Sequence, residues 1–330
     1  MTDFLSTRRD ILGLAGMAAL GALLPRWALA QGAAAPLNFG YQTTSWGTIG
    51  MVVESQGLFK KAGGNVTINK FDGGKTTRDA MISGRVDVGV LGATPFVVGA
   101  AKGNMVAIGM SMYAGKTGSI VAGKNKGIKS IADLKGRRVA SQLGSSTDQV
   151  FQEKILPKFG VSRNDVHTVN IPHQNHLAAL ISGSVDAFAG IEPFPSLAET
   201  EGIGDVVIDY SDFDISPVIL VANRPVVEQK REAVVALLRA WLTGVEIFKN
   251  KPDEAAKIVF AFFKDQGFNV SEAVVKRMLS KLDVTPTFKP GLRDYLDNEA
   301  KLLIQQRAIT AAPDWDKVMT ADLLQEAMKA

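Results

Sequence analysis

Hydroxyl and amide side chains concentrate in four short segments, each of which joins a predicted strand to a predicted helix. The segments are residues 42–47, 92–95, 144–147 and 173–176. Serine and threonine hydroxyls donate hydrogen bonds, and the start of a helix adds unpaired main-chain N–H groups and about half a positive charge. Several such turns around one cleft would bind a small anion without any arginine or lysine.

We expect the ligand-binding residues to come from these turns and from one acidic residue beyond them. Hydroxyl groups would hold the anion, and the Trp46 ring would form a wall of the cleft. Glu192 is either a solvated charge at a helix start or an acceptor for a ligand amine. A single turn of this kind is more often a helix cap than a site, but four turns in two halves of the chain favour a site. The expected ligand-binding residues are Gln42, Thr43, Thr44, Trp46, Thr94, Gly144, Ser145, Ser146, Thr147, His173 and Glu192.

The composition excludes several kinds of catalytic, metal and nucleic-acid site. With no cysteine among 330 residues, the chain has no thiolate nucleophile, cysteine-ligated zinc or iron–sulfur cluster. His173 and His176 lie three residues apart without a nearby carboxylate, so we expect loop histidines and no metal or cofactor. A net charge of +4 with interleaved signs does not resemble a nucleic-acid-binding surface. The fraction of hydrophobic residues, 46%, is that of a folded globular protein.

The first thirty residues resemble a bacterial export signal. Arg8 and Arg9 precede an apolar run over residues 11–24, which is shorter than the ~20 residues that a membrane-spanning helix needs. The small-x-small pattern Ala28-Leu29-Ala30 predicts cleavage after Ala30, and the twin arginines resemble the twin-arginine motif, although Ile11 departs from it. The alternative is an N-terminal membrane anchor. We expect an exported periplasmic monomer that, lacking cysteine at the cleavage point, is not a lipoprotein.

An internal repeat predicts two lobes of similar fold. Residues 80–89 align with residues 179–188 at an offset of 99, and both copies contain Ile-Ser-Gly-x-Val-Asp. Thr94-Pro95-Phe96 then aligns with Glu192-Pro193-Phe194 at an offset of 98, and residues 39–42 align more faintly with 139–142 at an offset of 100. Since this period is too long for a solenoid, it indicates two related lobes.

The predicted elements place the four turns at one edge of each lobe. Short apolar strands alternate with helices, which predicts an α/β fold with parallel sheets covered on both faces. We expect lobe one to comprise residues 31–115 and 222–330, and lobe two residues 116–221, because the helical tail should pack on lobe one. Ligands of such sheets bind beyond the carboxyl ends of the strands, where the four turns lie. The two phenylalanines of the repeat, Phe96 and Phe194, should face the core.

These motifs together resemble those of the periplasmic solute-binding components of ABC importers of the nitrate, sulfonate and taurine type. The resemblance extends over residues 36–330. It implies a type II periplasmic-binding-protein fold, in which two α/β lobes close on a solute and then dock on the transmembrane subunits of the permease. The segments that carry it are Phe39-Gly40-Tyr41-Gln42, residues 80–89, residues 131–139, Gly144-Ser145-Ser146, Val185-Asp186-Ala187 and Glu192-Pro193-Phe194.

The resemblance leaves several ligand classes open. Binders of alkanesulfonates and taurine tend to carry Trp-Asp-Pro where this chain has Ile191-Glu192-Pro193. We expect a small anionic or zwitterionic solute that is similar to an aliphatic sulfonate or taurine. A pyrimidine precursor of thiamine and a small carboxylate are alternatives. A further alternative is a lyase on the same fold that uses His173, His176 and Glu192 as acid–base groups.

Overall fold

The computed structural model describes residues 35–329, and the predicted export signal lies outside them. The strands in this range form two sheets, with the order β11-β4-β10-β3-β1-β2 in the first and β7-β6-β8-β5-β9 in the second. We call the first sheet with its helices lobe one, and the second with its helices lobe two. The strands are β1 (Leu37–Gln42), β2 (Val66–Phe71), β3 (Val88–Gly92), β4 (Met105–Tyr113), β5 (Gly118–Gly123), β6 (Arg138–Ser141), β7 (His167–Asn170), β8 (Ala187–Ile191), β9 (Gly204–Asp209), β10 (Pro217–Asn223) and β11 (Asp283–Val284).

Both sheets use the same strand order and the same register. The series β2-β1-β3-β10-β4 of lobe one corresponds to β7-β6-β8-β5-β9 of lobe two. Phe39 pairs with Val88 in lobe one, and Val139 pairs with Ala187 in lobe two. These pairs keep the sequence offsets of 100 and 99, so the predicted two-lobe repeat is confirmed by the backbone pairing.

The sheets are mixed, so the prediction of parallel sheets holds for β1, β2 and β3 and for β6, β7 and β8, and is wrong for the strands that cross between the lobes. β10 lies antiparallel between β3 and β4, and β5 lies antiparallel between β8 and β9. Each of these strands is the first one after the chain crosses from the other lobe. The preceding strand ends at the edge that faces the other lobe. The crossing chain therefore enters the next sheet at the edge where the parallel strands of that sheet end, and it runs antiparallel to them. The apolar pattern of a strand carries no signal of this direction.

The helices cover the faces of both sheets. No helix within residues 35–329 combines the length and hydropathy that crossing a bilayer requires. The helices up to β9 are α1 (Thr48–Ser55), α2 (Leu58–Lys61), α3 (Gly74–Ile82), α4 (Ala93–Ala101), α5 (Ser146–Val150), α6 (Leu156–Lys158), α7 (His176–Ile181) and α8 (Phe194–Thr200). Those of the C-terminal tail are α9 (Arg224–Gln229), α10 (Arg231–Asn250), α11 (Pro252–Asp265), α12 (Glu272–Ser280), α13 (Leu292–Gln305), α14 (Trp315–Val318) and α15 (Asp322–Met328).

The C-terminal tail packs on both faces of the first sheet. Alternate residues of β10 face two apolar clusters, one that contains Trp241 of α10 and one that contains Trp315 of α14. The Trp241 ring meets the Phe39 ring at 5.8 Å between centroids. Phe96 and Phe194, which were expected in the core, are fully buried. The tail therefore completes the core of lobe one.

The return of the chain to lobe one comes slightly earlier than predicted. The whole of β10 pairs within the first sheet, so residues 217–221 belong to that sheet and not to lobe two. Gly57, with a φ of 59°, separates α1 from α2. Apart from this correction, the predicted domain limits stay a prediction.

Equivalent glycines end α3 and α7 and allow a test of the repeat. Gly84 and Gly183 have φ values of 75° and 70°, and a Cβ added to either would meet nothing within 4 Å. We expect Gly84→Ala and Gly183→Ala each to lower the free energy of unfolding by about 1 kcal/mol, since only the left-handed backbone resists alanine. Urea titration measures this loss. The asparagine variants should lose less stability, since asparagine tolerates this conformation. Alanine variants as stable as the unaltered protein would contradict the expectation.

Candidate ligand-binding site

A small cavity of about 10 Å³ lies between the two lobes, where the strands of both sheets end. This volume has room for roughly one water molecule. Lobe one contributes residues that end or follow β1, β2 and β3, and lobe two contributes residues that end or follow β6, β7 and β8. The lining residues are Gln42, Thr44, Trp46, Gly73, Gly74, Gly92, Pro95, Ser145, Ser146, Thr147, His173 and Ile191.

Most of the residues expected at the site line this cavity, and four do not. Those outside the lining are Thr43, Thr94, Gly144 and Glu192, and those within it are Gln42, Thr44, Trp46, Ser145, Ser146, Thr147 and His173. Sequence reasoning missed the lining residues that lack a polar side chain. Gly92 gave the one available signal, a glycine directly at a strand end. A Cβ on Gly92 would lie 2.5 Å from the Ser146 hydroxyl oxygen and 2.7 Å from the Trp46 ring, so the lobes approach closely only because this residue is glycine.

Three helices begin at the cavity and give it a positive polarity. α3 begins at Gly74, α4 at Ala93 and α5 at Ser146. The amide of Thr94, in the first turn of α4, donates a hydrogen bond of 3.0 Å to Ser146 Oγ across the two lobes. No charged side chain is among the lining residues. The partial positive charge of the helix starts therefore sets the polarity and favours an anionic group.

Two buried hydroxyl groups, one from each lobe, have no hydrogen-bond partner. Thr44 of lobe one and Thr147 of lobe two are at most 2% exposed, and the Oγ1 atom of each is unpaired. Nδ1 of His173 is also buried and unpaired. A buried polar group without a partner costs about 1–3 kcal/mol. The cavity wall thus carries hydrogen-bonding capacity that the protein itself does not use.

Trp46 and Ser145 are fixed by hydrogen bonds at the edge of the cavity. The Trp46 indole donates a bond of 3.0 Å to the Thr117 hydroxyl, which lies in the crossing between β4 and β5. The Ser145 hydroxyl accepts a bond of 3.1 Å from the Asp148 amide and so caps α5. The indole of Trp46 is therefore held in place at the edge of the cavity.

Thr43, Thr94 and Gly144 support the site from outside its lining. The Thr94 hydroxyl donates to the carboxylate of Glu299 in α13 at 2.5 Å. The Thr43 hydroxyl donates to the Phe71 carbonyl at 3.2 Å and accepts a bond of 3.0 Å from the Gln174 amide of lobe two. Gly144 has a φ of 80° in the turn before α5. The two threonine hydroxyls are therefore bonded to other parts of the protein, and all three residues support the cavity wall from behind.

Glu192 does not line the cavity, so the expected contact with a ligand amine is absent from this arrangement. Its carboxylate is fully buried and forms an ion pair with Lys281, just after α12. The Ser196 hydroxyl donates to Glu192 Oε1 at 2.8 Å, and the Ser196 amide donates to Oε2 at 3.3 Å. Glu192 instead joins lobe two to the C-terminal tail.

His173 and His176 lie edge to face, with ring centroids 5.1 Å apart. Nε2 of His176 donates to the Ile171 carbonyl at 3.0 Å, so its Nδ1 carries no proton. Burial lowers the pKa of His176 to about 4. Burial, together with the neighbouring His176, lowers the pKa of His173 well below its ordinary value. Both rings are therefore neutral at neutral pH.

The acid–base groups of the alternative lyase do not converge on the cavity. His173 lines it, His176 is bonded to a main-chain carbonyl, and Glu192 is paired with Lys281. Within residues 35–329, no three histidine, aspartate or glutamate side chains come together as metal ligands would. The geometry is that of a polar binding cavity.

A family model described as NMT1/THI5 like matches residues 48–255, which is more than half of the chain. The chain belongs to this family. A curated protein of Escherichia coli (strain K12), named "Putative aliphatic sulfonates-binding protein", is 28% identical over 227 residues, which cover 68% of this chain and 70% of that protein.

Solved structures of similar proteins share the fold. The alkanesulfonate-binding protein from Xanthomonas axonopodis pv. citri, bound to MOPS, matches with a TM-score of 0.77 and 21% identity, over 87% of this chain and 98% of that chain. The periplasmic nitrate-binding protein from Synechocystis PCC 6803 matches with a TM-score of 0.72 and 17% identity, over 90% of this chain and 89% of that chain. The predicted periplasmic-binding-protein fold is confirmed.

The buried His176 predicts a loss of stability in acid. The unfolded chain takes up a proton on this residue below about pH 6.5, whereas the folded protein does so only near pH 4. We expect His176 to lower the free energy of unfolding by about 1.4 kcal/mol for each pH unit between these values, about 3 kcal/mol in total. Urea titrations at pH 7 and pH 5 measure the difference.

Two variants isolate this contribution. His176→Gln keeps a donor for the Ile171 carbonyl but does not titrate, so its loss of stability between pH 7 and pH 5 should be smaller. His167→Gln, at an exposed position, should behave as the unaltered protein does. An equal loss in all three proteins would show that His176 is not the titrating group.

Proposed function

We propose that the protein is the periplasmic solute-binding component of an ABC importer and that it captures a small organic anion between its lobes. One observation carries the proposal. Thr44 and Thr147, whose hydroxyls are buried and unpaired, come from opposite lobes and line a cavity at which three helices begin. The names of the sulfonate-binding and nitrate-binding relatives support an oxyanion as the recognised group.

Capture involves an opening of the lobes. A cavity of about 10 Å³ is too small for a sulfonate or carboxylate, so the solute enters when the lobes are apart. It then stabilises closure because it contacts both lobes at once. An oxyanion oxygen would take the Thr94 amide that Ser146 Oγ now occupies. Thr44, Thr147 and Ser146 would hold the anion, and Trp46 would pack on the apolar part of the solute.

The first choice of solute is an aliphatic sulfonate or a taurine-like compound. The closed form would then dock on the transmembrane subunits of a permease and deliver the solute for transport across the membrane. The sequence of residues 1–30 supports delivery of the chain to the periplasm. The relative from Synechocystis, which is named as periplasmic, supports the same location.

Binding of small anions should raise the melting temperature of the protein. We expect at least one member of a panel of sulfonates and carboxylates, at millimolar concentration, to do so by mass action. Thr147→Val and Thr44→Val keep the side-chain shape and remove the hydroxyl, so each should weaken binding about tenfold or more in calorimetry. Thr168→Val, on the edge strand β7 away from the cavity, is the matched control.

Two results would contradict this proposal in different ways. If no member of the panel changes the melting temperature, capture of a small anion is wrong. If an anion binds Thr44→Val and Thr147→Val as tightly as it binds the unaltered protein, the anion is held elsewhere.

The twin-arginine export route has its own test. Arg8→Lys combined with Arg9→Lys preserves the charge and removes the motif, so we expect the precursor to stay in the cytoplasmic fraction. Arg26→Lys, outside the motif, should still be exported. Cell fractionation followed by immunoblotting measures the distribution, and export of the double variant at the normal level would show that another route is used.

A further inference from the structure

The side-chain amide of Gln42 is held in a single orientation. Its Nε2 atom donates a hydrogen bond of 2.6 Å to the Val90 carbonyl. Because a carbonyl oxygen only accepts hydrogen bonds, the nitrogen must be the atom that faces Val90, and Oε1 must point elsewhere. The residue is 1% exposed and lines the cavity, and its Oε1 atom has no hydrogen-bond partner.

A buried amide oxygen in this position selects a hydrogen-bond donor. Oε1 can only accept, so it is satisfied by an O–H or N–H group and by nothing else. A sulfonate, nitrate or carboxylate ion presents acceptor oxygens alone. The oxyanion must therefore face the hydroxyls of Thr44 and Thr147 and the helix starts, while a different part of the solute faces Gln42.

The charges around the cavity indicate that this donor is neutral. The lining residues include no carboxylate that could balance an ammonium group. Glu192, the acidic residue that the sequence suggested as an acceptor, is already paired with Lys281 and bonded to Ser196. Asp148, beside the lining residue Thr147, already accepts hydrogen bonds from Ser141 and Gln152. Three helix starts add positive polarity, which is unfavourable for a cation. An ammonium group would donate one hydrogen bond to Gln42 Oε1 but would lose its hydration shell, so the exchange is unfavourable.

We infer that the solute combines an oxyanion with a neutral hydroxyl, amide or ring N–H group, and that Gln42 is the residue that recognises this neutral donor. The inference rests on the proposed function and narrows it, because it separates hydroxylated or amide-bearing anions from simple alkanesulfonates and from zwitterions. Gln42, and not Glu192, is then the residue that accepts a hydrogen bond from the solute.

Three sulfonates of equal size test the inference directly. Isethionate carries a hydroxyl group, taurine an ammonium group and 1-propanesulfonate a methyl group at the same position of the chain. We expect calorimetry to show that isethionate binds about tenfold or more tightly than either of the others. The carboxylates 3-hydroxypropionate, β-alanine and butyrate form the same series with a different anionic group and are measured in parallel.

Gln42→Met links the preference to this residue. The variant keeps the side-chain length and removes the acceptor, so the preference of isethionate over 1-propanesulfonate should disappear. The readout is a ratio of two affinities on one protein, which a general loss of folded protein does not change. Gln42→Asn, which withdraws the amide from the cavity, is the second variant and should reduce the preference for isethionate. Gln229→Met, on the exposed end of α9, is the control and should keep the preference.

The outcomes distinguish this inference from the proposed function. Binding of 1-propanesulfonate or taurine as tightly as isethionate, with the same order among the carboxylates, would overturn the inference and leave anion capture intact. A preference for isethionate that persists in Gln42→Met would overturn the role of Gln42. If none of the six compounds binds, the proposed function and this inference both fail.

Discussion

The pairing of β10 with both β3 and β4 is the constraint on which the arrangement of the site depends. This strand enters the first sheet from the edge that faces lobe two, and β5 enters the second sheet in the same way. Both crossings between the lobes are therefore short and begin at the carboxyl ends of strands. The two sheets are held with these ends opposed, so side chains that follow strands in either lobe reach one common space.

The lobes also make contacts that never touch the cavity. Asp214, in the crossing between β9 and β10, forms an ion pair with Lys154 of lobe two and accepts a hydrogen bond of 2.9 Å from the Tyr295 hydroxyl of α13. Glu192 and Lys281 make a second such connection. Part of the free energy of closure would therefore come from contacts within the protein, and these would strengthen the apparent affinity for a solute by favouring the closed form.

The repeat and the turns made much of the fold and of the site predictable. The end of a strand and the start of the next helix lie within a few residues of each other, so both can be recognised in the local sequence. Glu192 was misplaced because its partner, Lys281, lies 89 residues away, and the Thr94 side chain faces Glu299, 205 residues away. No local pattern carries such pairings. The directions of β5 and β10 were missed for a similar reason, since the path between the lobes decides them. Gly73, Gly74 and Ile191 were missed because they offer space and backbone and no polar side chain.

The position of Trp46 has an optical consequence. Of the three tryptophans within residues 35–329, Trp241 and Trp315 are buried in the two apolar clusters of lobe one. Trp46 belongs to the same cluster as Trp241, but its indole also lines the space between the lobes and is bonded to Thr117 in the crossing. Separation of the lobes would bring solvent to this ring and leave the other two in unchanged surroundings. The native fluorescence of the protein therefore contains a signal for opening, which needs no attached dye.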